Sequence, residues 1–275
     1  MKKYISLLLI AAMLLAFAGC GVPAEPTQPT EPETTAAPET TEATQPVIDT
    51  QEELQAALEA SPNVELNASL ELSKSIVFHA GTFDGNGYTL TAPTYVEDDV
   101  STENGIAMQS GMLRNITIKG GYRCLGDTTQ APQMGDIGLE NVSVDGSTYA
   151  LNFGRGDFTY DLYAADSSFY GWSSYTGFAQ ALFENCTFGW DSTGDNGNLR
   201  PYVDTVLCGC KFEPKTEADG TVVPYGIVLR DTISGISITL EDCYVGDTLI
   251  TSENIEELLN IDMFGNKLYV VNVEG

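Results

Sequence analysis

Apolar and polar positions along the chain fall into a short unit that returns six times. It reads apolar, variable, then Asn, Asp or Gly, then a small or branched residue, a variable one and an apolar one. The copies are Leu113-Arg-Asn115-Ile-Thr-Ile118, Leu139-Glu-Asn141-Val-Ser-Val144, Ala164-Ala-Asp166-Ser-Ser-Phe169, Phe183-Glu-Asn185-Cys-Thr-Phe188, Leu207-Cys-Gly209-Cys-Lys-Phe212 and Leu240-Glu-Asp242-Cys-Tyr-Val245. Their central residues lie 26, 25, 19, 24 and 33 positions apart, the period range of solenoid repeats. Apolar residues alternate with polar ones on either side of the centre, as in strands buried on one face. The unit therefore predicts two short strands joined by a sharp bend. Successive copies should stack about 4.8 Å apart, with equivalent side chains lying over one another.

The residue types fit the bend. Asn and Asp tolerate a left-handed backbone, and Gly209 adopts it without steric cost. The residues one and three places later must then point inward: Ile116 and Ile118, Val142 and Val144, Cys186 and Phe188, Cys210 and Phe212, Cys243 and Val245. Cys186, Cys210 and Cys243 share one inward column and are expected to be free thiols acting as small hydrophobes, because stacked side chains on parallel strands rarely point at each other. Cys208 should face outward. Two places after each bend come Thr117, Ser143, Ser168, Thr187, Lys211 and Tyr244, an outward and mostly hydroxylated row. The sequons at Asn115, Asn141 and Asn185 coincide with the bends and read as buried structural positions.

Before the repeats, Thr50-Gln-Glu-Glu53 followed by Leu54, Ala57 and Leu58 predicts a capped amphipathic helix able to cover one end of a stack. An alternating stretch with an Asp84-Gly-Asn-Gly87 turn follows. A second short helix is expected over residues 252 to 260, and Lys267-Leu-Tyr-Val-Val-Asn-Val273 should be a closing strand. The helix, strand and G-N-G turn resemble the opening of pectate-lyase-like proteins. That resemblance implies an all-β fold for residues 47–275, a right-handed parallel β-helix solenoid of about nine coils with short N-terminal and C-terminal capping helices.

The first twenty residues carry Lys2 and Lys3, an apolar run and small residues before Cys20, an export signal. Phe17-Ala18-Gly19-Cys20 resembles a bacterial lipobox, differing at Phe17, where the family usually has Leu. The resemblance implies a signal over residues 1–19, lipidation of Cys20, and display outside the cytoplasm on the bacterial cell membrane. Residues 20–46, rich in Thr, Glu and Pro, lack aromatics and cannot bury enough surface to fold, so they read as an extended stalk.

From Val47 onward the chain holds 34 acidic residues against 10 basic ones, a formal net charge of −24. A nucleic-acid partner is excluded for want of a basic footprint. A polyanionic glycan would also be repelled unless Ca²⁺ bridged the charges. The domain is read as a monomer.

Phe169-Tyr-Gly-Trp172 and Phe188-Gly-Trp190 place the two tryptophans at nearly matching positions in loops after two middle repeats. With Tyr170 and Tyr175 they are the candidate ligand-binding residues, since sugar C–H groups stack on aromatic faces; the alternative is that both tryptophans pack under the loops as satellite core. Asp191, Asp195 and Asn198 form an oxygen-rich loop that could ligate Ca²⁺, but it lacks the EF-hand spacing and reads first as an ordinary Gly/Asn turn. No resident cofactor is otherwise implied. Enzymes of the fold that the chain resembles use an Arg or Lys base beside acidic Ca²⁺ ligands, or paired aspartates. The candidates here are Arg200, Asp191, Asp195 and Asp204. The polygalacturonase N-T-D and G-H-G runs and the lyase R-x-P-x-x-R are absent. The expected role is therefore non-catalytic binding of a polysaccharide or other wall or host component, with a polysaccharide lyase or glycoside hydrolase as the alternative.

Overall fold

The computed structural model describes residues 47–128, 131–145 and 148–273. The signal, Cys20 and the stalk lie outside the described residues. Within them the chain is mostly strand, arranged as two large sheets that are parallel except where Tyr244–Val245 pairs antiparallel with Thr248–Leu249. One assembly holds 16 strands and a second holds 8; a separate two-stranded antiparallel hairpin pairs Lys215–Thr216 with Val222–Val223.

The repeat unit explains the first assembly. Leu113 pairs with Leu139, Leu139 with Ala164, Ala164 with Phe183, Phe183 with Leu207 and Leu207 with Leu240. Beyond the bend, Thr117, Ser143, Ser168, Thr187, Lys211 and Tyr244 pair in the same succession. All six central residues have positive φ: Asn115 51°, Asn141 52°, Asp166 48°, Asn185 52°, Gly209 62° and Asp242 48°. A left-handed residue turns the strand sharply while both flanks keep their ladder bonds. Asn141 Nδ2 donates to Asn115 Oδ1 at 3.0 Å, and Asn115 Nδ2 donates to Asp84 Oδ1 at 3.1 Å. A Cβ on Gly209 would approach Asn185 Oδ1 to 2.7 Å, which is why that rung carries no side chain. The bends are not buried, however: Asn141 and Asn185 are exposed, because the left-handed turn aims their amides outward over the sheet edge.

Inside, the expected column is in place. Ile116, Ile118, Val142, Val144, Cys186, Phe188, Cys210, Phe212 and Cys243 are all buried, and Val245 is half-buried. Phe169, Phe188 and Phe212 stack on successive passes with centroids 5.5 and 5.7 Å apart. Cys186, Cys210 and Cys243 carry free thiols. Each donates to a main-chain carbonyl: Cys186 to Glu184, Cys210 to Phe183 and Cys243 to Leu207, at 3.3 to 3.4 Å.

Helix α1 (Gln51–Ala60) has the expected capping box, with Thr50 and Glu53 bonded reciprocally, and buries Leu54 and Leu58. It packs on the first strands, Asn63–Glu65 and Ile76–Phe78. Helix α2 (Ile255–Leu258) is shorter than expected and buries Ile255. It contacts Asn260–Asp262, and the strand Lys267–Val271 follows it, adding a further layer beside Ser237–Glu241. Among the described residues no helix is long and apolar enough to cross a membrane.

Candidate functional site

The second sheet is built from the segments between repeats: Ile76–Phe78, Asn104–Met108, Arg123–Gly126, Tyr149–Phe153, Trp172–Tyr175, Asn198–Pro201, Gly226–Val228 and Asn260–Asp262, all parallel. Beside it runs a continuous aromatic row, from the loop residue Tyr95 and from Tyr122, just before a strand, to Tyr149 and Trp172, which open strands of the sheet. Tyr95 stacks on Tyr122 at 4.6 Å, Tyr122 meets Tyr149 edge-on at 5.5 Å, and Tyr149 meets Trp172 edge-on at 5.0 Å. The register makes the row, since Tyr149 is the direct partner of both Arg123 and Trp172. Such ring pairs add about 0.5–1.5 kcal/mol each beyond burial, so the row also staples adjacent strands.

Arginines border it. The Arg200 guanidinium lies 4.2 Å from the Trp172 ring centroid, and Arg123 lies 5.3 Å from Tyr122 and 5.9 Å from Tyr149. Arg123 is held by Glu103 at 2.6 Å. Burial pushes the Tyr149 phenol above its ordinary range and Tyr122 adds to this, while Arg200, Arg123 and Arg230 pull it back. Three of the ten basic residues of a strongly acidic domain thus converge on one tyrosine. This is a locally cationic, aromatic face, where cation–π contacts contribute about 0.5–2 kcal/mol each.

Trp190 adjoins the row through Asn198, whose strand places Leu199 opposite Ser173. The indole is half-buried, lies against Gly197, and has the Lys215 ammonium 4.5 Å from its centroid. It lines two clefts. One, of about 490 Å³, is shared with Tyr170, the Asp191 loop and the Lys215 hairpin; the other, of about 570 Å³, includes Asn198, Pro224, Leu259 and Asn260. Neither Trp172 Nε1 nor Trp190 Nε1 has a hydrogen-bond partner.

Several expected site residues sit elsewhere. Tyr175 is fully buried, with its hydroxyl 3.2 Å from Thr205 Oγ1, and is a core residue rather than a ligand contact. Strand alternation from Trp172 decides this: 172 and 174 face out, 173 and 175 in. Trp172 opens a strand instead of lying in a loop. Tyr170 is half-buried, and burial followed by the Glu213 charge raises its phenol. Asp191 is buried, and its carboxylate accepts the N–H groups of Asp195 and Asn196, the Asn196 amide and the Thr193 hydroxyl at 2.7–3.2 Å. It ties its own loop together. Asp195 is exposed, while Asn198 Oδ1 is turned over Gly226. Asp204 is on the other sheet, where it accepts the Ser237 N–H at 2.8 Å. Arg200, Asp191, Asp195 and Asp204 are therefore not gathered around one point. Among the described residues no group of three His, Cys, Asp or Glu side chains is placed to hold a metal ion.

The aromatic row has a signal in the sequence. Tyr95, Tyr122, Tyr149 and Trp172 are spaced by 27, 27 and 23 residues, one repeat apart. No family model, curated protein or solved structure matches the chain.

Proposed function

We propose that the chain is a surface lipoprotein whose domain, a right-handed parallel β-helix, binds glycan along the aromatic and arginine-bordered face of its second sheet without cleaving it. The observation that carries this reading is the row Tyr95–Tyr122–Tyr149–Trp172 ending under Arg200. Three layer spacings make it about 14 Å long, enough to span several sugar rings. Aromatic rings accept the positively polarised C–H groups of a pyranose, and neighbouring guanidinium groups donate to hydroxyl or carboxylate oxygens. The recurring strand positions and the left-handed bends support the β-helix; the apolar run before Cys20 supports lipid attachment.

The test is retention of the full chain on a panel of immobilised polysaccharides, with Trp172→Ala and Arg200→Ala beside the parent. Each substitution is expected to weaken binding by about 1–3 kcal/mol, as for half-buried aromatic and arginine anchors. Undiminished retention of both variants would remove the site, and new reducing or unsaturated ends on the bound glycan would replace binding with catalysis. Cys20→Ser is expected to abolish incorporation of labelled fatty acid; persistence of the label would refute attachment at that residue.

A further inference from the structure

The outer face of the first sheet carries a second surface, made of different residues. Its central outward positions pair in one line: Met112 with Gly138, then Tyr163, Leu182, Val206, Thr239 and Tyr269. Outward positions of a sheet facing water are ordinarily polar. Here they are mainly apolar: Val206 is 37% and Tyr269 46% exposed, Tyr163 and Leu182 are half-buried, and Met112 folds over Gly138. Six layer spacings give the stripe a length of about 29 Å.

Carboxylates run along both sides. On the bend side stand Glu140, Glu184 and Glu241, in register with the stripe through Ala165 and Cys208. On the other side stand Asp136, Asp161 and Asp204. Along the stripe itself the cations are at the extremes, Arg114, bound to Asp84 at 2.8 Å, and Lys267, while Lys211 stands beyond the bend. Tyr163 donates its hydroxyl to Glu184 Oε2 at 2.7 Å. A groove of about 350 Å³ opens beside it, lined by Glu184, Asn185, Cys208, Glu241 and Asp242. Crowding already acts on these acids, since burial and the neighbouring Asp136 raise the Asp161 carboxyl above its usual range despite a bond from Gln180.

We infer that this face docks a basic, amphipathic polypeptide segment, its apolar side on the Tyr163–Leu182–Val206 stripe and its Lys or Arg side chains reaching the carboxylates on both flanks. An exposed apolar patch with a polar rim is the usual form of a protein-binding surface. The sign of the rim selects the occupant. A second copy of the chain would bring the same carboxylates against these, and an anionic membrane or nucleic acid would be repelled in the same way. An α-helix of about 19 residues matches the length of the stripe. None of these residues belongs to the aromatic row.

The probe is a fluorescein-labelled Leu/Lys amphipathic helix of about 18 residues, titrated with the full chain and read by anisotropy. A Leu/Glu peptide of the same pattern and a Ser/Lys peptide of the same charge serve as comparisons. The Leu/Lys peptide should bind at least about tenfold tighter than either. Leu182→Ser with Val206→Ser, and separately Glu184→Gln with Glu241→Gln, should each weaken it by about tenfold, whereas Trp172→Ala should leave it unchanged. Circular dichroism verifies folding, and the Glu pair decides if the apolar pair unfolds. Equal binding of the Ser/Lys and Leu/Lys peptides, or parental affinity in the folded double variants, would reduce the attraction to diffuse charge and overturn the docking surface.

Discussion

Replacing Asn141 by Leu tests the left-handed bend that organises the first sheet. Asn141 has φ 52°, lies at the surface, and donates its amide to Asn115 Oδ1 at 3.0 Å. A leucine there meets its own Cβ clash with the carbonyl, a cost of about 1–2 kcal/mol that Asn largely escapes. It also loses one hydrogen bond, worth about 0.5 kcal/mol at so exposed a position. The expected destabilisation is about 1.5–2.5 kcal/mol. Asn141→Gly separates the two contributions, because glycine relieves the clash while still losing the bond and adding chain entropy, for a total of about 0.5–1.5 kcal/mol. Thr117→Leu, on the outer face one layer away, should fall within about 0.5 kcal/mol of the parent. Urea unfolding followed by far-UV circular dichroism gives the order, provided the slopes agree, since stacked repeats can open in parts. If Leu at position 141 costs no more than Gly there, or no more than Leu at 117, the conformational explanation of the bends is wrong.

Asp84 provides an acid-stability test. Its burial opposes ionisation, but the Asn86 N–H, the Asn115 amide and Arg114 outweigh this and hold the carboxyl below its usual 3.8. A lowered folded-state value contributes stability that is present above the ordinary pKa and lost as pH falls through the folded one. Asp84→Asn should therefore melt below the parent at pH 7, with the gap closing near about pH 2; a pH-independent gap would refute the charge-based account. Cys208 is pushed up to about 11 by burial first and then by the Glu241 charge and hydrogen bond. Iodoacetamide should accordingly label it slowly at pH 8 and several-fold faster in Glu241→Gln, whereas an unchanged rate would mean that access alone limits it. Tyr175→Ala should cost about 3–5 kcal/mol as a buried aromatic deletion, and a smaller loss with weakened glycan retention would return Tyr175 to the binding surface.

The repeat unit made one sheet legible because bend and parity are encoded together. Once Asn115 or Gly209 is placed at the bend, the inward identity of Ile116, Cys186 or Phe212 follows by counting, and the hydroxyl row falls on the opposite parity. The second sheet has no such anchor. Its strands begin after turns of variable length, one residue between Tyr170 and Trp172 but eight between Gly189 and Asn198. Parity is therefore reset on each pass. Gly171, at φ 128°, performs that reset before Trp172, and this is why Tyr175 points inward although nothing near it in sequence requires it. The Asp191 loop is ambiguous in sequence for a related reason: oxygen-rich loops can hold a cation or tie their own turns, and the Asn196 and Thr193 donors show the second, the ordinary turn that its spacing favours.

The same counting that located the core also carries information about the surface. In stacked parallel strands every sequence position becomes a column, so residues one repeat apart act as neighbours however unremarkable each is alone. Tyr95, Tyr122, Tyr149 and Trp172 form one such column, and Met112, Tyr163, Leu182, Val206 and Tyr269 belong to another. The first lies beside Arg123 and Arg200 and the second between rows of Glu and Asp, so two outer faces of one acidic domain present opposite local charge. A ligand rich in oxygen acceptors and a ligand rich in cations would thus be sorted to different faces by electrostatics before any shape is matched. This predicts that salt weakens peptide docking steeply while affecting retention of a neutral glycan little, because only the former depends on charges across the interface.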